Sequence, residues 1–263
     1  YTYFDDCLRK ETTEPGGGDR DFVLRWTLAG DDVDGGVLLY DHGDEKFFAI
    51  MIEPPAAPTA GDVLPREFVF LVDVSGSMSG YPLDTAKALM RELLGGLEPT
   101  DLFDVVTFAG NTGVLSQESI PATVGNVEDA MDRLSGLSGG GGTELVDGLE
   151  RAYAIPEPED DSVSRTVIVI TDGYVGVEAQ AFKFIRSRLD EANLFAFGIG
   201  TSVNRYLIEG MARAGAGEPF VILDPARADE EAKRFARYVR APILTDVEVE
   251  FDGVEAYDVA PQE

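Results

Sequence analysis

Five short, largely apolar runs, Phe68 to Val72, Phe103 to Phe108, Val167 to Thr171, Leu194 to Ile199 and Phe220 to Leu223, are separated by segments of helical period. That alternation limits the fold more than any other feature of the chain. Strands apolar along their length suit a parallel sheet covered on both faces, and parallel neighbours need a crossover that is usually a helix. The intervening segments carry the matching stripes: Leu83, Ala86, Met90, Leu93, Leu94 and Leu97 in one, Val127, Ala130, Met131, Leu134 and Leu137 in the next, and Leu145, Val146, Leu149 and Ala152 in a third. Pro82 falls in the first turn of the first helix, and Gly95-Gly96 stops it. Further helices are predicted over 177–190, 203–214 and 227–240. The predicted class is α/β, a doubly wound and mostly parallel sheet flanked by helices.

The flanks follow another rule. Residues 1–64 hold short apolar stretches, Phe22 to Leu28, Val37 to Tyr40 and Phe47 to Ile52, between Gly- and Asp-rich turns, and end in a connector containing Pro54, Pro55 and Pro58. They predict a small antiparallel β-subdomain. Residues 65–240 form the α/β domain. In 241–263, Val247, Val249 and Phe251 alternate with acidic residues, which predicts a strand returning to pair with the amino-terminal sheet, so that the α/β domain is inserted in or attached to the β-subdomain. The stretch Asp31 to Gly36 lacks the acidic residues at alternate positions and the glutamate at position twelve of a calcium-binding helix-loop-helix, and reads as a hairpin turn. His42, the sole histidine, reads as a solvated turn residue.

Charge narrows the partners. Asp and Glu number 49 against 21 Lys and Arg in 263 residues, a formal net charge of −28. Such an excess excludes nucleic acid and anionic membrane surfaces held by charge attraction. No apolar run is long enough to span a bilayer, so no direct membrane insertion is expected. Cys7 is the single cysteine and cannot form an internal disulfide. Lysine occurs only at Lys10, Lys46, Lys87, Lys183 and Lys233, a composition resembling that of proteins from saline habitats.

Open α/β sheets bind ligands beyond the carboxyl ends of their strands, where strand order reverses. Asp73-Val74-Ser75-Gly76-Ser77 stands at that end of the first strand, Thr171-Asp172-Gly173 at the end of the Val167 strand, and the glycine run 139–142 presents Thr143 at the start of a helix. Two carboxylates and three hydroxyls form an oxygen-only set. This chemistry suits Mg²⁺, Ca²⁺ or Mn²⁺ and argues against zinc or copper. With so few charged ligands the ion stays electrophilic, which favours an anionic oxygen from a partner in its open position. The candidate metal ligands are Asp73, Ser75, Ser77, Thr143 and Asp172, and the candidate partner-binding rim is Gly76, Met78, Gly142, Glu144, Gly173 and Tyr174. Enzyme signatures fail at the same strand end: no lysine follows the glycines of a phosphate loop, and Met78 occupies the place a hydrolase elbow gives to serine.

These three loops resemble the metal-ion-dependent adhesion site of von Willebrand factor type A domains. The likeness extends to the heavy-chain family of inter-alpha-trypsin inhibitor and its bacterial relatives, through Glu53-Pro54-Pro55, Thr171-Asp172-Gly173-Tyr174-Val175-Gly176, Phe197-Gly198-Ile199-Gly200 and Pro242-Ile243-Leu244-Thr245-Asp246-Val247. The resemblance implies that Ser75, Ser77 and Thr143 contact the metal directly or through water, with Asp73 and Asp172 bound directly or one ligand removed. It further implies a non-enzymatic adhesion module, completed by an Asp or Glu carboxylate of a protein partner and working outside the cell or at its surface. The alternative from the same family is an intracellular assembly factor acting with an AAA+ ATPase. A metal-dependent hydrolase is the remaining alternative.

Overall fold

The computed structural model describes residues 34–43, 45–53, 65–158, 160, 163–173 and 175–239, with isolated positions beyond 250. The chain divides into two compact units, Tyr1–Asp62 and Val63–Glu263. The expected strand Phe22 to Leu28 and the returning strand in 241–263 lie outside the described residues, apart from isolated positions in the latter.

In the first unit, β1 (Asp34–His42) and β2 (Glu45–Glu53) form an antiparallel hairpin in register from Asp34 opposite Glu53 to His42 opposite Glu45. Gly43 takes the turn at φ 70°, where a side chain would be strained. Residues 34–36 are the first rungs of β1 and His42 its last residue, so the turn predicted over Asp31 to Gly36 does not extend to 34–36, and His42 belongs to a strand end. Because side chains alternate across a strand, Val37, Leu39, Phe48 and Ile50 share one face, and Leu38, Tyr40 and Phe47 the other. Both faces are apolar and both are exposed.

The second unit is the predicted doubly wound sheet. Its strands are β3 (Arg66–Asp73), β4 (Leu102–Phe108), β5 (Thr112–Val114), β6 (Ile120–Pro121), β7 (Ser164–Thr171), β8 (Asn193–Ile199) and β9 (Ala216–Ile222). The order is β5-β4-β3-β7-β8-β9; β3, β4, β7, β8 and β9 run parallel, while β5 and β6 pair antiparallel with β4. The helices are α1 (Tyr81–Gly95), α2 (Val124–Ser135), α3 (Leu145–Tyr153), α4 (Glu178–Arg186), α5 (Arg205–Ala214) and α6 (Ala228–Val239). Phe68, Phe70 and Val72 of β3 face α1, α2 and α6, whereas Val69 and Leu71 face α3, α4 and α5. Two buried layers thus sandwich the sheet, which is why its strands are apolar at consecutive positions. Phe235 docks α6, its ring edge-on to Phe195 and Phe197 at 5.1 and 5.6 Å between centroids. Among the described residues no helix is long and apolar enough to cross a membrane.

Charged groups break the apolar pattern at the amino ends of the strands. Glu67 on β3 and Arg165 on β7 form a buried ion pair at 2.6 Å, and the same guanidinium donates to the carbonyls of Ile155 and Pro156. Removing one partner of such a pair costs about 3–5 kcal/mol, because it strands a buried charge. Beside it, Arg66 grips both carboxylate oxygens of Asp101 and donates to the Val239 carbonyl at the end of α6, 3.1 Å away. The first residue of the sheet and the last of the helical layer are therefore fastened together.

Candidate metal centre

The chain runs from β3 outward to β4 and then crosses to β7 on the other side of β3, so strand order reverses between β3 and β7. Asp73 ends β3, and in the pairing register it stands one step beyond the Val72 and Ile170 pair, level with Thr171. Past Asp73 the backbone leaves the sheet, with Ser75 extended at φ −67° and ψ 175°, and closes into a 3₁₀ turn over Gly76–Met78. The two serines span the start of that turn. Their hydroxyls are hydrogen-bonded to each other, the oxygens 3.1 Å apart.

Asp73 is buried and uses both oxygens: Oδ1 accepts the Ser75 amide at 2.8 Å and Oδ2 accepts the Thr171 hydroxyl at 2.6 Å. Thr171 Oγ1 in turn accepts the Gly173 amide at 2.9 Å, which shapes the turn carrying Asp172. Burial pushes the Asp73 carboxyl above its ordinary value, the hydrogen bonds from Thr171 and Ser75 pull against it, and the charge of Asp172 adds to the rise. None of these groups is basic. A divalent cation would supply the missing counter-charge.

The glycine loop is locked against this turn by its backbone. Gly140 N–H donates to Val74 O at 2.9 Å, Gly76 N–H to Gly141 O at 3.2 Å, and Glu144 N–H to Ala109 O at 2.8 Å. A Cβ on Gly139 would lie 2.8 Å from the backbone of Ser79, so a side chain there forces the loops apart. Gly141 sits at φ 82°. This packing brings the segment that presents Thr143, half-buried at the mouth of α3, against the serine turn. On the other side the Asn204 side-chain oxygen caps α5 by accepting the Leu207 N–H, and its backbone N–H donates to the Asp172 carbonyl at 3.1 Å.

The donor set fits a small hard cation. Adjacent ligands of an octahedral Mg²⁺ at 2.0–2.1 Å stand about 3 Å apart, and the serine oxygens already have that separation. Among the described residues no group of three or more His, Cys, Asp and Glu side chains is disposed to hold a metal, so a cation held here would need the hydroxyls as ligands.

The rim comes out smaller than the sequence predicted. Gly76, Gly142 and Glu144 are exposed, as is Ser77. Met78 is fully buried in the layer beneath α1, because the 3₁₀ turn rotates it inward, and Gly173 is buried against Asn204 and Leu207. Neither presents a surface to a partner. Tyr174 lies outside the described residues. Sequence reasoning missed the role of Thr171; its one local signal is Thr-Asp-Gly, a spacing in which a hydroxyl bonds the amide two residues on.

The hydroxyls and carboxylates thus stand at the switch point of an open, mostly parallel sheet, the place where α/β folds of this class bind ligands. Residues 68–175 match the family model of the von Willebrand factor type A domain. The expected likeness to inter-alpha-trypsin inhibitor heavy chains holds: heavy chain 4 of Mus musculus is 28% identical over 252 residues, covering 89% of this chain and 26% of that protein. Von Willebrand factor A domain-containing protein 5B1 of Homo sapiens is 28% identical over 194 residues, 73% of this chain and 16% of that one. The chain spans between 10% and 26% of the length of the curated relatives it matches. Among solved structures, a von Willebrand factor type A protein from Catenulispora acidiphila superposes with a TM-score of 0.64 at 20% identity, covering 78% of this chain and 49% of that one. BatB from Bacteroides thetaiotaomicron gives 0.56 at 18% identity, over 66% and 99% of the two chains. These structures share the fold.

Proposed function

We propose that this chain is a metal-dependent protein-binding module, in which a divalent cation, Mg²⁺ or its hard relatives Ca²⁺ and Mn²⁺, joins the top of the sheet to an Asp or Glu carboxylate of a protein partner. The observation that carries this reading is the pair of serine oxygens 3.1 Å apart above the buried, fully bonded carboxylate of Asp73. Ser75, Ser77 and Thr143 would hold the cation through neutral oxygens. Asp73, with an accepted bond on each oxygen, orients the serine turn, and Asp172 contributes negative charge from the neighbouring strand end. The cation supplies a Lewis-acidic position for the partner's oxygen. This also explains how so acidic a chain takes an acidic partner: the charge repels a carboxylate at long range, and the cation reverses that at contact.

Isothermal titration with Mn²⁺ tests the reading. The wild-type chain is expected to bind one Mn²⁺, and Ser77→Ala, which removes an exposed hydroxyl, to bind it at least ~10-fold more weakly with an unchanged melting temperature in chelator. Water-proton relaxation by the bound Mn²⁺ should fall when acetate is added, as a carboxylate displaces water from the ion. Equal Mn²⁺ affinity in both proteins would overturn the assignment of the serine turn.

A further inference from the structure

We infer that Thr171 is a positioning residue of the cation centre, one hydroxyl that sets both of its carboxylates; the assignment rests on the metal reading above. Its Oγ1 has a single proton, and the geometry commits that proton to Asp73 Oδ2 at 2.6 Å. The lone pair it offers in return takes the Gly173 amide at 2.9 Å. The relay runs in one direction: Gly173 N–H to Thr171 O–H to the Asp73 carboxylate. Because Ser75 N–H holds Oδ1, the Asp73 carboxylate is pinned at both ends, in plane and in rotation about its own axis.

The two bonds of Thr171 do different work. The bond to Gly173 is local, two residues along the chain, and shapes the turn from which Asp172 projects. The bond to Asp73 crosses from β7 to β3 at the point where strand order reverses, between residues 98 positions apart. One side chain therefore fixes the placement of Asp73 relative to the Asp172 turn, and so the spacing of the centre's negative charges. Water does not substitute for it, since Thr171 is 1% exposed and Asp73 0%. Without the hydroxyl, Asp73 Oδ2 loses its donor and the Gly173 amide its acceptor, both inside the protein, where an unmade bond carries its full desolvation cost. The carboxylate then turns toward whatever donor is nearest, and the serine turn hanging from its other oxygen turns with it.

The test compares Thr171→Val, which keeps the shape and removes the hydroxyl, with Thr171→Ser, which keeps the hydroxyl, and with Ile168→Val on the same strand as a packing control. Mn²⁺ affinity is read by titration calorimetry and the metal-free fold by melting in chelator. Partners that orient metal ligands are worth about 10- to 100-fold in affinity, so Thr171→Val is expected to bind Mn²⁺ at least ~10-fold more weakly, Thr171→Ser within ~3-fold of wild type, and Ile168→Val as wild type at a lowered melting temperature. A Thr171→Val protein that melts earlier in chelator yet binds Mn²⁺ as wild type does shows a structural role only and overturns the proposal, as does a Thr171→Ser protein as weak as Thr171→Val. Should Thr171→Val not fold, Thr171→Cys, a poor donor of similar size, takes its place with the same expectation. If wild type itself binds no Mn²⁺, the metal reading fails first and the positioning role falls with it.

Discussion

Asp104 is a carboxylate with no place in the proposed metal centre and, among the described residues, no counter-ion in contact. It lies in the middle of the α3-facing side of β4, buried, with Oδ1 accepting the amides of Val105 and Ser116 at 2.7 and 3.2 Å and Oδ2 bonded to none of the described residues. Burial pushes it up to about 6 from an ordinary 3.8; the two amides and the charge of Arg151 work against the rise, and Glu67 adds to it. Between pH of about 4 and 6 the folded chain thus keeps a proton that the unfolded chain has released. Stability is expected to fall as pH rises through that window and to level off above it. Asp104→Asn removes the titration, so the difference in melting temperature between variant and wild type should grow in the variant's favour from pH 4.5 to pH 8. Parallel melting curves across that range would contradict the assignment. In the sequence this carboxylate was invisible: within a run otherwise fit for a doubly covered strand, a single Asp reads as a blemish, and alternation does not say which side of the sheet it faces.

Among the elements, α3 shows where packing overrides propensity. Gly148 stands in the middle of this nine-residue helix, where alanine is ordinarily better by about 1 kcal/mol. Yet a Cβ there would lie 2.9 Å from Phe108 Cγ and 3.2 Å from Leu71 Cδ1, and both side chains are fully buried. Overpacking typically costs about 1–3 kcal/mol, so Gly148→Ala is expected to lower stability by about 1–2 kcal/mol, seen as a lower denaturant midpoint at unchanged slope; a raised midpoint would mean that α3 has room to shift. The long elements were legible because their apolar periods repeat within the element: every predicted helix and parallel strand is present, with shifts of a few residues at the ends. The edge strands β5 and β6, three and two residues long, were not. They exist through pairing with β4, a relation that no local pattern encodes. The same holds at the centre, where Ser75 and Ser77 could be read from strand-end chemistry but the tie between Thr171 and Asp73 needs β3 and β7 side by side.

The whole molecule has to fold against its own charge. A net charge of −28 opposes compaction, and the repulsion reaches about 10 Å at 0.1 M salt but about 3 Å at 1 M. The exposed ion pairs, such as Lys233 with Asp229 at 2.7 Å, weaken over the same range but contribute little. The melting temperature is therefore expected to rise between 0.05 and 1 M NaCl, and to rise less with an equal osmolality of sucrose. A fall across the salt series would refute the idea that charge repulsion outweighs the surface ion pairs.

At this scale the clasp of Arg66 on Val239 also acquires a mechanical meaning. The start of β3 and the end of α6 meet at one point, roughly 23 Å along β3 from the serine turn. A pull applied through those two ends would load the guanidinium and its two bonds to Asp101 together with the first rung of the β3–β7 ladder, where Ser164 N–H donates to the Pro65 carbonyl at 2.8 Å. Such a load would pass along the amino ends of the strands, while the candidate metal centre stands at the opposite end of β3.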